Sequence, residues 1–253
     1  MYTYSVSKRA KTVAQPRGGY LPLRSFTPRA MQDNFALKED ENVHASIVGQ
    51  TVDYMSRFVS GPITAKDAFL VSLLGTVLAG RPQRGEELVG QIKGLDDVSL
   101  CAACKLASYD SYARSSQAVP PTISEPEPNH STLFNIRLMV TRMVRFFAEY
   151  GPVTADAFSL EGGYTDIVSC GDGDFLTRDT LWDIKTSKSP PKPKDTLQVL
   201  MYYIMGKHSW NECFQTIQNI GIANPRLNQI WLLNTGMIPA AVIQQVEKDV
   251  IGY

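Results

Sequence analysis

Apolar and polar positions recur with two different periods along this chain, and the change from one to the other marks its organisation. In residues 42–60, NVHASIVGQTVDYMSRFVS, apolar side chains fall at helical spacing (Val43, Ile47, Val52, Met55, Phe58) until Gly61-Pro62 ends the run. Thr64 is placed as the N-cap of a second helix, AKDAFLVSLLGTVLAG, closed by Gly80 and apolar enough to be buried. A third helix is expected from Leu95 to about Arg114. A fourth, capped by Ser131 or Thr132, runs to about Tyr150 with Leu133, Ile136, Val140, Met143, Val144 and Phe147 on one face, and Gly151-Pro152 stops it. Strands are then expected near Val153–Leu160, on both sides of the turn-forming GDGDF at 171–175, and at 228–234, NQIWLLN. A helix carrying Gln198 and Tyr202 precedes the last of these. Ser209-Trp-Asn-Glu212 has the form of a capping box opening another helix up to Gly221, and a closing helix from about Pro239 to Val250 turns Val242, Val246 and Val250 to the core.

The order helix, three strands, helix, strand predicts an α/β fold, a mixed sheet flanked by helices, behind a mainly helical N-terminal part. The expected divisions are an N-terminal arm at 1–31, a helical region at 32–118, a Pro-rich acidic linker at 119–130 and the α/β core at 131–253.

Composition changes this picture little, but charge distribution does. The 253 residues carry 25 basic and 25 acidic side chains, so no global charge draws the chain to nucleic acid. Between Met1 and Met31, however, Lys8, Arg9, Lys11, Arg17, Arg24 and Arg29 face no acidic residue and alternate with Tyr2, Tyr4, Tyr20 and Phe26. Such an arm can follow a phosphate backbone and stack on bases, or it can be a clasping tail. A second cluster, Lys185, Lys188, Lys192 and Lys194, lies in a Pro-rich loop and is the stronger phosphate-contact candidate. No apolar run is long enough for a membrane span and the first thirty residues lack a signal-peptide core, so the expected location is cytoplasmic, with no membrane partner and the four cysteines as thiols.

The candidate chemistry lies in GGYTDIVSCGDGDFLTRDTLWDIKTS, residues 162–187. Successive strand side chains point to opposite faces, so Asp183 and Lys185 share one face, while Trp182 and Ile184 point to the other as core. A hairpin turning at GDGDF would lay Asp166 beside Asp183. Paired carboxylates repel unless a cation lies between them, and a hard divalent ion suits their oxygens. Asp172 and Asp174 are second choices for the first carboxylate, since turn chemistry alone accounts for them.

The ordered set Gly-x-x-Asp, Asp-Ile-Lys-Thr-Ser and Gln-x-x-x-Tyr resembles the PD-(D/E)XK phosphodiesterase superfamily, and its RecB-like nuclease branch in particular. The resemblance implies a restriction-endonuclease-like core and a metal-dependent nuclease acting on nucleic acid, DNA first, in a phage, recombination, repair or defence setting. By it, Asp166, Asp183 and the Ile184 carbonyl would hold Mg²⁺ or Mn²⁺, and Lys185 would be the catalytic lysine. Gln198 and Tyr202 would support the site or touch nucleic acid. A further His or Glu ligand is usual; His44 is the first choice, with His130, Glu149 and Glu161 as alternatives. Many members form dimers or rings, so a homo-oligomer is compatible. Cys101 and Cys104 do not match the spacing of that branch's cluster-binding cysteines, with Cys170 and Cys213 standing alone. The rival readings are a catalytically inactive nuclease-fold protein that binds nucleic acid or a protein partner, and a hydrolase of nucleotides.

Overall fold

The computed structural model describes residues 3–31, 33–61, 63–114 and 124–253. Its contacts divide the chain into two compact units, Met1–Met31 with Phe147–Tyr253, and Gln32–Phe146. The basic arm is therefore part of the α/β unit and not a separate tail. Its first strand, β1 (Tyr4–Ser5), pairs in parallel with residues 168–170. Ser5 Oγ then accepts the Lys8 N–H at 3.2 Å and caps α1 (Val6–Thr12). Val6 and Ala10, one turn apart, are buried, and the Arg9 guanidinium donates to the carbonyls of Val250 and Asp249 at 2.8 and 2.9 Å. Strand β2 (Thr27–Ala30) joins the main sheet at its edge, where Pro28 is tolerated. Phe26 is buried and Tyr20 packs on the core, so these two aromatics serve the fold and not base stacking.

The second unit is helical: α2 (Ala45–Ser60), α3 (Ala65–Ala68), α4 (Leu70–Leu78), α5 (Pro82–Gln91), α6 (Asp97–Ala107), α7 (Asp110–Arg114) and most of α8 (His130–Tyr150). Thr64 caps α3 in a reciprocal box with Asp67, but the expected second helix breaks at Phe69. The expected third is two helices, α6 and α7, and α5, opened by Pro82, forms where no element was expected. Asn129, not Ser131 or Thr132, caps α8; its Oδ1 accepts the Thr132 N–H at 2.8 Å.

Helix α4 inverts the expectation of burial. Leu70, Leu74, Val77 and Leu78 are exposed while Ser72, Gly75 and Thr76 form the inner face. Close packing requires it: a Cβ on Gly75 would lie 2.1 Å from the Tyr109 carbonyl oxygen. Ser72 and Tyr54 hydroxyls both donate to the buried Asp110 carboxylate, with Arg114 at 3.3 Å from it. Of the expected linker, residues 119–123 lie outside the described residues. The rest is fastened to the helical unit, with Glu125 on Arg84 at 3.0 and 2.7 Å and Glu127 on Lys105 at 2.6 Å.

The remaining strands are β3 (Val153–Asp156), β4 (Val168–Cys170), β5 (Phe175–Thr177), β6 (Thr180–Ile184), β7 (Asn219–Asn224) and β8 (Gln229–Asn234). β1 and β4 form a small sheet; the main sheet is six-stranded and mixed, in the order β2-β8-β7-β6-β5-β3. Only β6 and β7 run parallel within it, which demands a crossover, supplied by α9 (Pro193–His208). Helix α10 (Ala240–Val246) and a π-helical turn over Glu247–Ile251 close the chain, burying Val246, Val250 and Ile251.

Strand β7 corrects the expected helix from Ser209 to Gly221. A 3₁₀ turn at Glu212–Thr216 forms instead, with Asn211 Oδ1 accepting the Cys213 N–H at 3.0 Å. The chain then runs as a central strand, with Ile220 and Ile222 buried. Gly221 lies opposite Trp182, where an added Cβ would come within 2.2 Å of the indole. Gly221→Ala is therefore expected to cost about 1–3 kcal/mol of stability through overpacking, read as a lower urea midpoint at unchanged slope.

Candidate functional site

The site is built on the β5–β6 hairpin and the first turns of α9. The hairpin turns at Arg178-Asp179, with Leu176 opposite Leu181 and Phe175 opposite Trp182. One step beyond the last pair, Asp174 reaches the backbone next to Asp183 and acts on its charge. The sequence expectation for Asp166 is corrected here. Asp166 is exposed in a tight turn where the Thr165 N–H donates to the Val168 carbonyl at 2.9 Å and Thr165 Oγ1 accepts the N–H groups of Ile167 and Val168. That turn leads into β4, which pairs with β1 and not with β6.

GDGD is not a hairpin turn because its glycines serve close packing. A Cβ on Gly173 would meet the Phe158 ring at 1.9 Å, and one on Gly171 would meet Val6 at 2.6 Å. The loop thus delivers Asp174 to the hairpin mouth. There Asp174 Oδ2 accepts the Ile184 N–H at 2.5 Å, taking a backbone donor that lies beyond the last paired residues of the hairpin.

Asp183 is buried on the sheet face it shares with Leu181 and Lys185. Lys185 Nζ lies 2.7 Å from the buried Asp183 Oδ2 as an ion pair. Burial pushes the Asp183 carboxyl up to about 7, against the pull of Lys185 and with the help of Asp174. Burial also pulls on Lys185, but the carboxylates of Asp183, Asp174 and Asp195 outweigh it and hold the ammonium charged.

Gln198 and Tyr202 lie one turn apart on α9. Lys185 Nζ donates to Gln198 Oε1 at 3.3 Å, Gln198 Nε2 to the Tyr202 hydroxyl at 3.0 Å, and that hydroxyl to the Asp172 carbonyl at 2.8 Å. The chain of bonds ties the lysine to the loop that carries Asp174. Tyr202 is buried, so it supports the site from below and presents no surface to nucleic acid. Trp182 is core as expected, stacked on Phe175 with centroids 6.5 Å apart, and its Nε1 donates to Thr177 Oγ1 at 3.2 Å; Ile184 is half-buried.

The donors at the hairpin mouth are hard oxygens, the carboxylates of Asp174 and Asp183, with Asp183 Oδ2 buried against the Lys185 ammonium. That set fits Mg²⁺ or Mn²⁺, ions that bind through one or two carboxylates and keep several waters. It does not extend to a third side chain: among the described residues, no group of three His, Cys, Asp or Glu converges. His44 belongs to the helical unit, where Nδ1 caps α2 through the Ser46 N–H at 3.3 Å and meets Ser46 Oγ at 2.7 Å. His130 is the first residue of α8, Glu149 is exposed, and Glu161 is taken by the Ser159 hydroxyl.

The cysteines are free thiols. Cys104 is buried, which pushes it up to about 12, whereas Cys170 and Cys213 are exposed. No described helix is long and apolar enough to cross a membrane. Set beside models of known protein families, curated proteins and solved structures, the chain matches none of them.

Proposed function

We propose that this chain is a metal-dependent nuclease of the RecB-like type, with a restriction-endonuclease-like core, that hydrolyses phosphodiester bonds of nucleic acid, DNA first. The observation that carries the reading is the meeting of Asp174 and Asp183 at the mouth of one hairpin, where Asp174 accepts the N–H of the residue after Asp183, with Lys185 two residues on and on the same face as Asp183. Asp174, Asp183 and the Ile184 carbonyl would hold Mg²⁺ or Mn²⁺, which when bound polarises a scissile phosphate and makes its water acidic enough to supply hydroxide. Lys185, charged and steered by Gln198, is placed to stabilise negative charge developing on that phosphate. Tyr202 bonds both Gln198 and the Asp172 carbonyl, so the carboxylate loop and the lysine are tied together.

The test is calorimetric titration of Mg²⁺ and Mn²⁺ together with cleavage of single-stranded, duplex and nicked DNA, with and without chelator. Cleavage that appears with metal and disappears with chelator is the expected result; metal binding without any cleavage removes the enzyme from the reading. A second reading, a nuclease-fold protein that binds nucleic acid without cutting it, is favoured by one observation, the two-carboxylate site without a third side-chain ligand among the described residues. It expects DNA binding that ignores both metal and chelator.

A further inference from the structure

We propose that Lys8, Lys11 and Lys194 form a phosphate grip that holds a single strand of nucleic acid beside the hairpin site. The proposal rests on the nuclease reading for the identity of the strand, but not for the existence of the anion site. A cleft of about 460 Å³ is lined by Lys8 and Lys11 of α1, by Lys185, and by Lys194, Asp195 and Gln198 of α9. Lys185 and Gln198 belong to the site already described, so the cleft opens directly onto it.

Charge in the cleft is unbalanced. Lys185 is matched by Asp183, and the Asp195 carboxylate accepts the Lys192 N–H at 2.8 Å at the start of α9. The ammonium groups of Lys8, Lys11 and Lys194 are exposed and pair with no carboxylate among the described residues. Three ammonium groups, Lys8 lying over the Tyr4 ring, thus share one concavity with a single unmatched carboxylate, Asp195, so the cleft is net positive and attracts a polyanion.

The lysines are also held in place. Lys8 and Lys11, three apart, share one side of α1. The helix itself is fixed by β1 on β4, by Val6 and Ala10 in the core, and by Arg9 on the carbonyls of Val250 and Asp249. Cations on a fixed element lose less freedom on binding than cations on a loose tail. Lys188 and Lys192, which the sequence grouped with Lys194, do not line the cleft.

Size selects the strand form. A volume of about 460 Å³ is within the range of pockets for small ligands, roughly 300–1,000 Å³, so a nucleotide or two fits inside it, whereas a duplex would have to lie across its mouth. The grip would take the phosphate next to the one being cut.

Binding is measured by fluorescence anisotropy with a fluorescein-labelled mixed-sequence single strand, in EDTA so that nothing is cut, across about 50–200 mM salt. Each phosphate contact on a single strand contributes about 0.7 to the slope of log affinity against log salt. Lys8→Ala/Lys11→Ala is expected to bind at least about tenfold more weakly and to lose roughly 1.4 from that slope. Lys8→Arg/Lys11→Arg restores both. Lys93→Ala/Lys248→Ala, which removes two exposed charges outside the cleft, leaves both unchanged. Melting by circular dichroism checks that each variant folds. A wild-type slope in Lys8→Ala/Lys11→Ala, or an equal loss in the Lys93/Lys248 control, overturns the grip, and a duplex that binds as tightly overturns the single-strand assignment. Metal-dependent cleavage by the wild type, scored on the same preparation, separates the two claims. Cleavage with no change of slope sinks the grip alone; a wild type that neither binds nor cuts sinks both.

Discussion

Asp174→Ala is expected to lower metal-dependent DNA cleavage by about a hundredfold or more, and Asp166→Ala to leave it unchanged. The asymmetry follows from register. Phe175 pairs with Trp182, and just beyond that pair Asp174 accepts the Ile184 N–H next to Asp183, whereas Asp166 is exposed in the turn before a strand of the other sheet. Loss of a residue that merely orients a metal ligand typically costs 10–100-fold, and loss of the ligand itself costs at least as much. Asp174 has a second task, because its Oδ2 accepts the Ile184 N–H. Removing it leaves a backbone donor without its partner, at about 1–3 kcal/mol. Asp174→Asn separates the two roles: the amide oxygen still accepts that N–H, while the negative charge is gone. An Asn variant that is stable but does not cut assigns the loss to charge; an Asn variant with wild-type activity means that Asp174 only holds the backbone. Loss of activity in Asp166→Ala, with Asp174→Ala intact, would reverse the assignment.

The turn expected in this stretch was GDGDF, and the structure places it at Arg178-Asp179 instead. GDGDF looked like a hairpin turn by composition, but Arg178-Asp179 joins strands short enough for Phe175–Thr177 to fold back directly on Thr180–Ile184. The glycines of GDGD are explained by Phe158 and Val6, residues distant in sequence that no local pattern announces. What the sequence did carry was the strand with Asp183 and Lys185 on one face, and Gln198 and Tyr202 one turn apart, because both depend only on local periodicity. Helices α2 and α8 were legible for the same reason, being long and amphipathic. Strand β7 was not: buried as a central strand, NIGIAN lacks the polar alternation of a one-sided strand, and Ser209-x-x-Glu212 ahead of it imitates a helix start. Helix α4 shows a further limit, since composition cannot reveal that a Ser-Gly-Thr face is the one packed inside. From sequence the arm stands apart, because nothing local tells that Val6 and Ala10 find the core, or that Lys8 and Lys11 then line a cleft with Lys185.

Metal affinity should tighten about tenfold per pH unit below neutrality and level off above about 7, with close to one proton released per ion bound on the acidic side. The cause is the burial of Asp183, which favours the neutral acid and raises its carboxyl from 3.8 to about 7. A cation binds the ionised form, so on the acidic side it must first displace a proton. Without metal the sign for stability is opposite. Between about pH 4 and 7 the folded protein keeps a proton that the unfolded chain has lost, so stability falls as pH rises through that window and is flat above it. Saturating metal should cancel this slope, because the ion favours ionised Asp183 in the folded state alone. Asp183→Asn removes the titrating group and should flatten the stability curve, while abolishing proton release and weakening metal binding at every pH. The measurements are Mn²⁺ titration calorimetry at several pH values in buffers of different ionisation enthalpy, and urea midpoints over the same range with and without the ion. An affinity that is already pH-independent from about pH 5 upward would mean that Asp183 is ionised without metal, with Lys185 alone compensating its charge.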